Sequence, residues 1–166
     1  VGPRLRFVDG AAQPNGWALP SPLQLLRERA FGAPRWMPPT GPGAAGGDEA
    51  GAAGGDEARR VEAGATPVGW LMGCFLLGST AGLRALGGFD EDFWFHGTDL
   101  EICARVRASG RTVLRVEEVE LLHRGHRTWE AARIQATRGA TAQWLARDHG
   151  PLVGAAARVA GAWAPR

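Results

Sequence analysis

The hydrophobic positions between residues 68 and 88 predict a buried strand followed by a helix. A continuous apolar run, Val68 to Leu77, is typical of a strand that is buried on both faces. Gly73 within this run indicates either a bulge or the close approach of another part of the protein to the backbone. Ser79 then predicts a helix N-cap, and the helix it begins runs to Leu86 and is stopped by two glycines at 87–88.

A second helix is predicted from Asp99 to Ser109, ending at Gly110. Thr98 and Glu101 have the T-x-x-E spacing of a capping box, so the carboxylate of Asp99 lies beside the partially positive end of the helix. From the spacing alone, a purely structural interpretation stays open, in which these residues only cap the helix and the preceding aromatic residues belong to the core. The positions predicted to be buried on this helix are Leu100, Cys103 and Val106.

The remaining segments continue the alternation of strands and helices. Before the insertion, Leu5–Val8 predicts a strand that enters a turn at Asp9-Gly10, and Pro22–Phe31 predicts a short helix. After Gly110 the predicted elements are a strand at Thr112–Val116, an extended piece at Val119–Leu122, a helix at Trp129–Arg147 and a final amphipathic helix from Pro151 with Leu152, Ala156, Val159 and Trp163 on one face. This alternation predicts an α/β fold.

Residues 34–66 have no hydrophobic periodicity and predict a disordered insertion. The octapeptide Gly-Ala-Ala-Gly-Gly-Asp-Glu-Ala occurs twice in tandem, at 43–50 and 51–58. A repeat without a large apolar side chain cannot offset the entropy lost on ordering. The predicted organisation is therefore a first segment at 1–33, the insertion at 34–66, a core at 67–150 and the final helix at 151–166.

Composition and charge exclude several classes of function. The net charge of +2 is too small to favour nucleic acid as a partner, although all 19 basic residues are arginine. Cys74 and Cys103 lie in apolar stretches without disulfide or metal-binding spacing, which predicts free thiols in a reducing compartment. No signal peptide is expected, and the longest apolar run is too short to span a membrane, so a cytoplasmic location is predicted.

An ordered set of short motifs resembles the acceptor side of family 2 glycosyltransferases, particularly the bacterial rhamnosyltransferase-like members. The resemblance extends from about residue 68 to 151, with a looser similarity at the Asp9-Gly10 turn. The motifs that carry it are Trp70-Leu71-x-Gly73, Gly87-Gly88-Phe89-Asp90-Glu91-x-Phe93, Asp99-Leu100-Glu101-x-Cys103-x-Arg105, His123-x-Gly125-x-x-Thr128, and Arg138 followed by residues 147–151.

The resemblance implies a GT-A (nucleotide-diphospho-sugar transferase) fold and inverting transfer of a sugar from a nucleotide-diphosphate sugar to a cell-envelope glycan or a lipid-linked acceptor. Asp99 matches the general base that deprotonates the acceptor hydroxyl. His123 matches a ligand of the divalent cation, Mg²⁺ or Mn²⁺, and Arg127 and Arg138 match residues that contact the diphosphate. The residues it places at the acceptor are Trp70, Gly73, Asp90, Glu91, Trp94 and Glu101.

The sequence also departs from the family pattern. Thr98 replaces the usual acidic partner of the base, and Gly139 stands where asparagine is usual. The Asp-x-Asp metal motif is absent, since Asp90-Glu91-Asp92 matches another role. The resemblance therefore implies a partial GT-A fold without the N-terminal donor-binding half, in which residues 1–33 are a residual segment. We expect a chain that is inactive alone and needs a separate donor-binding half.

Two other functions compete with this hypothesis. A non-catalytic remnant or carbohydrate-binding module would use Trp70, Trp94 and Phe95 as stacking surfaces. A metallohydrolase would use Asp99, His123 and His126, but a His-x-x-His pair without an intervening glutamate is a poor zinc motif. If the acceptor is lipid-linked, the protein works at the inner face of the membrane. The few basic residues of the final helix predict at most weak peripheral contact with it.

Overall fold

The computed structural model describes residues 1–23, 64–93, 97–124 and 131–162, and in the last two helices the side chains of residues 139–159. Most of the predicted helix at 22–31 and the whole tandem octapeptide lie outside these residues, so both stay predictions. The described chain resumes at Gly64 and forms a strand from Ala65, which lies inside the segment predicted to be disordered. The insertion therefore ends at least two residues earlier than predicted.

Four strands form one mixed sheet. They are β1 (Gly2–Arg6), β2 (Ala12–Gln13), β3 (Ala65–Val68) and β4 (Val113–Leu122), in the spatial order β2-β1-β4-β3. The central pair β1 and β4 is parallel, and the outer strands pair antiparallel to their neighbours. A tight turn joins β1 to β2 at the predicted place, where Gly10 has a φ of +86° and the Asp9 carboxylate accepts from the Ala11 N–H at 3.0 Å.

Four described helices accompany the sheet: α1 (Thr80–Ala85), α2 (Thr98–Ala108), α3 (Ala131–His149) and α4 (Pro151–Ala162). The predicted α/β class is confirmed at this level. The predicted ends of α1 are also confirmed, because the Ser79 hydroxyl accepts from the Gly82 N–H at 3.0 Å and Gly87 and Gly88 both have positive φ. Within the described residues, no helix has the length and apolar character needed to cross a membrane.

The two extended pieces predicted after α2 form one strand. β4 pairs with β1 in a register that jumps from Val116 to Glu120, so an irregularity interrupts the pairing without ending the strand. Arg6 stabilises the paired end, since its guanidinium donates to both carboxylate oxygens of Glu120 at 2.6 and 2.9 Å. The predicted gap between the strand at Thr112–Val116 and the extended piece at Val119–Leu122 therefore corresponds to this change of register.

The prediction of a strand from Val68 to Leu77 is wrong. β3 ends at Val68, which pairs with Val113 at the first position of β4, so no further partner residues follow on that strand. At Gly69 a Cβ would lie 2.3 Å from the Leu19 nitrogen, and this close approach redirects the chain. Trp70 then pairs with Trp17 in an isolated bridge. Beyond it the apolar side chains reach the surface, with Phe75 43% and Leu77 60% exposed.

The predicted capping box at α2 is also wrong. The helix begins at Thr98, and the N-cap residue is Gly97, whose φ of +84° is in the left-handed region and whose position has no side-chain cap. Glu101 cannot complete a capping box because its carboxylate is bound by Arg105. The end of the helix is as predicted, since Gly110 has a φ of +76° and its N–H donates to the Arg107 carbonyl at 2.9 Å.

Two apolar clusters form the core, and Trp70 packs against both of them. One lies between the sheet and α2, and the other between α2 and the last two helices. Of the three positions predicted to be buried on α2, Leu100 and Cys103 are buried and Val106 is half-buried. The first cluster comprises Val68, Leu71, Ile102, Cys103 and Val113, and the second comprises Phe93, Leu100, Trp144 and Leu145.

The final helix packs through a different face from the one predicted to be apolar. α4 meets α3 through small residues, and a Cβ at Gly154 would lie 2.2 Å from the Ala146 Cβ. The half-buried Val153 and Ala157 pack beside it against the second cluster. Leu152 and Val159 therefore face outward, with 85% and 65% of their surfaces exposed. Close contact between glycine and alanine determines the packing face here.

Candidate functional site

Asp99 lies in the first turn of α2, where it is half-exposed and held by main-chain hydrogen bonds. Its Oδ2 accepts from the N–H of Gly73 at 2.9 Å, and its Oδ1 accepts from the N–H of Leu100 at 2.9 Å. The close approach predicted at Gly73 is confirmed, since a Cβ there would lie 3.2 Å from the Asp99 Cβ. The arrangement fixes the orientation of the carboxylate while leaving part of it open to solvent.

His123 follows the last residue of β4 and is attached to the sheet through both its main chain and its ring. Its N–H donates to the carbonyl of Arg6 at 2.8 Å, and its Nδ1 lies 2.9 Å from Oε1 of Gln13. With the Gln13 oxygen as acceptor, Nδ1 is the nitrogen that donates in this contact, and in a neutral ring Nε2 is then the nitrogen with the lone pair. In metal sites, a hydrogen bond to the other ring nitrogen commonly orients the histidine ligand.

A short series of contacts connects His123 to Asp99. The Nε2 of Gln13 lies 3.6 Å from the sulfur of Met72, the neighbour of Gly73 in the chain. The N–H of Met72 donates to Oδ1 of Asn15 at 2.9 Å, and Nδ2 of Asn15 donates to the carbonyl of Pro3 at 2.7 Å. The Met72-Gly73 segment thus lies between Asp99 on one side and Gln13 on the other.

Gln13 and Asn15 were not predicted from the sequence. Gln13 is 8% and Asn15 3% exposed, so both are buried polar residues whose hydrogen bonds are made inside the protein. One signal could have found them, because residues 13 and 15 of an extended segment point to the same side. Two polar residues at that spacing beside a predicted sheet indicate a shared partner.

Glu101 is bound by an arginine on its own helix. It is 2% exposed, and its two oxygens accept from Nε and Nη2 of Arg105 at 2.6 and 2.7 Å. The same guanidinium donates to the carbonyls of Leu86 and, at 2.7 Å, Gly88, so it joins the end of α1 to the first turn of α2. The role of Glu101 as an acceptor contact stays a prediction, and its carboxylate pairs with Arg105 and lies 3.8 Å from Nη1 of Arg147.

Asp90 lies in the acidic turn before α2 and forms an ion pair with Arg147 of α3. The hydrogen bond from this arginine lowers the pKa of the Asp90 carboxyl below its ordinary value. Gln143 of α3 also donates to the carbonyl of Asp92 at 3.1 Å. The turn is therefore attached to α3, and the predicted acceptor contacts Asp90 and Glu91 lie on it, with Glu91 exposed.

Trp70 is half-buried and stacks on Trp17, with ring centroids 4.6 Å apart and an interplanar angle of 30°. Its main-chain N–H and carbonyl both pair with Trp17, at 2.9 and 3.1 Å. The indole Nε1 is buried without a hydrogen-bond partner among the described residues. The ring packs against both core clusters, so much of its surface is already used within the protein.

Both cysteines are free, as predicted. Burial, with a smaller contribution from the charge of Asp99, raises the pKa of the Cys103 thiol to about 11. Cys74 is exposed beside Gly73, and partial desolvation raises the pKa of its thiol as well. Both thiols are therefore protonated at neutral pH, which argues against either as a nucleophile.

The described residues bring together only part of the predicted site. Asp99, Gly73 and His123 are connected as set out above, whereas Trp94, His126 and Arg127 lie outside the described residues. Arg138 lies in α3, with its side chain outside them too. No group of three histidine, cysteine or acidic side chains suited to a metal ion occurs within residues 1–23, 64–93, 97–124 and 139–159.

Two curated proteins match this chain. They are the N-acetylglucosaminyl-diphospho-decaprenol L-rhamnosyltransferases of Mycobacterium tuberculosis strains H37Rv and CDC 1551, each 28% identical to it over 152 residues. The chain is similar to a rhamnosyltransferase. This similarity covers 90% of the chain and confirms the resemblance read from its motifs. The chain spans about half the length of these relatives, 46%.

The other comparisons add no family or fold. No family model matches the chain, and no solved structure matches it. The similarity to the mycobacterial rhamnosyltransferases therefore supports a glycosyltransferase in general terms. The mixed α/β architecture is compatible with that assignment, and the narrower predictions of a GT-A fold, an inverting reaction and a divalent cation become proposals.

Proposed function

We propose that this chain forms the acceptor side of an inverting glycosyltransferase with a GT-A fold, and that Asp99 is its general base. The observation that carries the proposal is the position of Asp99. Its carboxylate is held by the Gly73 N–H at the half-exposed start of α2, within the motifs that resemble the family. A general base has to be accessible to the acceptor and fixed in orientation, and Asp99 meets both requirements.

The proposed acceptor is a lipid-linked diphosphate glycan, and the proposed donor is a nucleotide-diphosphate sugar. The printed name of the mycobacterial relatives describes transfer of rhamnose to N-acetylglucosaminyl-diphospho-decaprenol. An acceptor of this class lies in a membrane, which favours a protein at its inner face. The acidic turn with Asp90 and Glu91, beside the helix that carries Asp99, is the proposed contact for the acceptor sugar.

In the proposed reaction, Asp99 removes the proton from the acceptor hydroxyl while that oxygen attacks the anomeric carbon of the donor. The bond from the anomeric carbon to the nucleoside diphosphate breaks, and the configuration at this carbon is inverted. The Gly73 N–H bonds one carboxylate oxygen and so restricts the directions from which Asp99 can approach the hydroxyl. A correctly placed base typically contributes about 100- to 10,000-fold to the rate.

A divalent cation would stabilise the charge of the leaving diphosphate. His123 fits as one ligand, because Gln13 occupies its Nδ1 and leaves Nε2 as the donor atom. Hard divalent cations prefer several oxygen ligands, and the described residues contain no group of three histidine, cysteine or acidic side chains suited to a metal ion. We therefore propose that the remaining ligands and the donor site come from a donor-binding half, with Arg127 and Arg138 contacting the diphosphate.

Replacing Asp99 with asparagine tests the proposal. Asparagine keeps the size of the side chain and an oxygen for the Gly73 N–H, but it cannot take up the proton. We expect Asp99→Asn to lower transfer to a lipid-linked acceptor by about 100-fold or more, measured with the chain combined with a donor-binding polypeptide. Asp148→Asn is the matched control, because Asp148 is an exposed aspartate near the end of α3.

Two results would contradict this assignment. Transfer by Asp99→Asn within a few-fold of wild type would place the base elsewhere, since the control corrects for general effects of the substitution. Calorimetric titration of the chain alone with nucleotide sugars and Mn²⁺ tests the donor site separately. Micromolar binding that depends on the metal would contradict the proposal that the donor site requires a second half.

No specific observation favours either alternative function, the carbohydrate-binding module or the metallohydrolase. A carbohydrate-binding module needs open aromatic surfaces, whereas Trp70 is stacked on Trp17 and packed against the core. Trp94 and Phe95 lie outside the described residues. A metallohydrolase needs a third ligand beside Asp99 and His123, and His126 is likewise outside them. The acceptor side of a glycosyltransferase is thus the function that the geometry supports best.

A further inference from the structure

Gln13 and Asn15 are two buried polar residues that no motif explains. They flank Pro14, just after the β1–β2 turn, and they are 8% and 3% exposed. A buried amide that loses its partners is costly, so each must be satisfied inside the protein. The partners of the two amides include Met72 and His123, which belong to the candidate site and not to the β1–β2 hairpin.

Each amide uses both of its polar ends. Gln13 places Oε1 at 2.9 Å from Nδ1 of His123 and Nε2 at 3.6 Å from the sulfur of Met72. Asn15 accepts from the Met72 N–H at 2.9 Å and donates to the Pro3 carbonyl at 2.7 Å. Met72 precedes Gly73, whose N–H donates to Asp99. Gln13 therefore contacts the proposed metal ligand His123 directly, and Asn15 is connected to the proposed base Asp99 through the Met72-Gly73 main chain.

We propose that Gln13 and Asn15 are positioning residues of this site. Gln13 selects the ring tautomer and the orientation of His123, and Asn15 fixes the Met72-Gly73 main chain so that the Gly73 N–H meets Asp99. The inference rests on the proposed function, since it assigns both residues to the same site. Neither amide touches the reacting groups in this assignment, and each acts through its neighbour.

The tautomer of His123 shows whether Gln13 positions the ring or only contributes to stability. Nitrogen NMR of the chain, with all proteins compared at one pH, reports which ring nitrogen of His123 carries the proton, and His123→Asn assigns the signal. We expect the Nδ1-protonated form in wild type. Gln13→Leu removes the acceptor and should shift the ratio of tautomers on the order of fivefold toward Nε2 protonation. Gln13→Glu retains an acceptor oxygen and should restore the wild-type ratio.

Gln143→Leu is the matched control, because Gln143 donates to the main chain of Asp92 rather than to His123. It should leave the tautomer of His123 unchanged. An unchanged tautomer in Gln13→Leu, or the same change in Gln143→Leu, would overturn the assignment of Gln13. This measurement needs no sugar transfer, so a failure of the proposed function does not affect it.

Amide hydrogen exchange tests whether Asn15 fixes the Met72-Gly73 main chain. Asn15→Leu removes both hydrogen bonds, and we expect faster exchange of the Gly73 amide with unchanged exchange in α3. Asn15→Asp keeps an acceptor for the Met72 N–H and should retain most of the protection at Gly73. Equal protection of Gly73 in all three proteins would overturn the assignment of Asn15.

In the transfer assay described above, Gln13→Leu should lower kcat by about 10- to 100-fold, with Gln13→Glu partly restored. Wild-type kcat in a variant with the altered tautomer would overturn the functional part of the inference. If the wild-type chain combined with the donor-binding polypeptide transfers no sugar, the proposed function fails, while the tautomer and amide-exchange measurements still decide the geometry.

Discussion

Gly73 determines how Asp99 can be oriented. Its N–H bonds Oδ2 of Asp99 at 2.9 Å, and a Cβ at this position would lie 3.2 Å from the Asp99 Cβ and 3.5 Å from Oδ2. Its backbone conformation is one that other residues adopt, so the need for glycine here comes from the neighbouring carboxylate. The functional consequence is that substitution at residue 73 acts through the position of Asp99.

Gly73→Ala should therefore reduce activity more than stability. The added methyl group has to displace Asp99 by a few tenths of an ångström, and misplacement of a catalytic group is costly, so we expect transfer to fall by about 10-fold or more. The free energy of unfolding should change by about 1 kcal/mol or less. Gly78→Ala is the control, because the nearest atom to its Cβ is Leu83 Cγ at 3.9 Å. Equal transfer by the two variants would contradict this account.

Cys103 should make stability depend on alkaline pH. Burial raises its folded pKa from 9.0 to about 11, so the thiol ionises first in the unfolded chain. Its contribution to the free energy of unfolding is complete below pH 9 and is lost between pH 9 and about 11, by up to about 3 kcal/mol. Chemical unfolding at pH 8 and 10.5 checks this for wild type and Cys103→Ala, with Cys74→Ala as control. A decrease of the same size in Cys103→Ala would contradict it.

Single residues were predictable from the sequence where their environment is local. Asp99 lies in the first turn of α2, as the spacing around Thr98 indicated, although Gly97 rather than a side chain caps the helix. For Gly73 the sequence indicates either a bulge or a close approach, and it does not name the approaching group because Asp99 lies 26 residues away in the chain. Asn15 was missed for the same reason, since its partner Met72 is 57 residues away.

Among the elements, helix ends were predicted better than strands. The start of α1 depends on Ser79 and its end on two adjacent glycines, and the end of α2 depends on Gly110, so nearby residues were sufficient. The length of β3 depends on where β4 begins, which the apolar run at 68–77 does not encode. The pairing of α4 with α3 through Gly154 was likewise not visible in the apolar periodicity.

Two glycines in the last two helices should respond oppositely to alanine. Gly139 of α3 is exposed, with no described atom within 4 Å of its Cβ, so Gly139→Ala should stabilise the protein by about 0.5–1 kcal/mol. At Gly154 a Cβ meets Ala146 Cβ at 2.2 Å and Ala142 O at 2.9 Å. Gly154→Ala should therefore destabilise it by about 1–3 kcal/mol, because α4 has to move away from α3. Urea unfolding of both variants checks this, and stabilisation by both would refute the packing described here.

For the molecule as a whole, the sequence predicted the α/β class and the order of most elements but not the sheet. The central pairing joins β1 to β4, which are more than 100 residues apart along the chain, and the two-residue β2 is too short to produce a pattern. Arg105 joins α1 to α2, and Trp70 contacts both core clusters, so these connections between elements also depend on tertiary contacts.

We expect the protein to bind membranes weakly, even though its proposed acceptor is lipid-linked. The outward face of α4 exposes Leu152 and Val159, and burying both in lipid would contribute about 3–6 kcal/mol. This is comparable to a single myristoyl chain, which gives only marginal binding, and Arg158 adds one positive charge. In flotation with vesicles of phosphatidylcholine and phosphatidylglycerol at physiological salt, most of the protein should stay unbound. Firm flotation that Leu152→Gln/Val159→Gln abolishes, and that Leu77→Gln on the segment before α1 does not, would show instead that α4 anchors the protein to the bilayer.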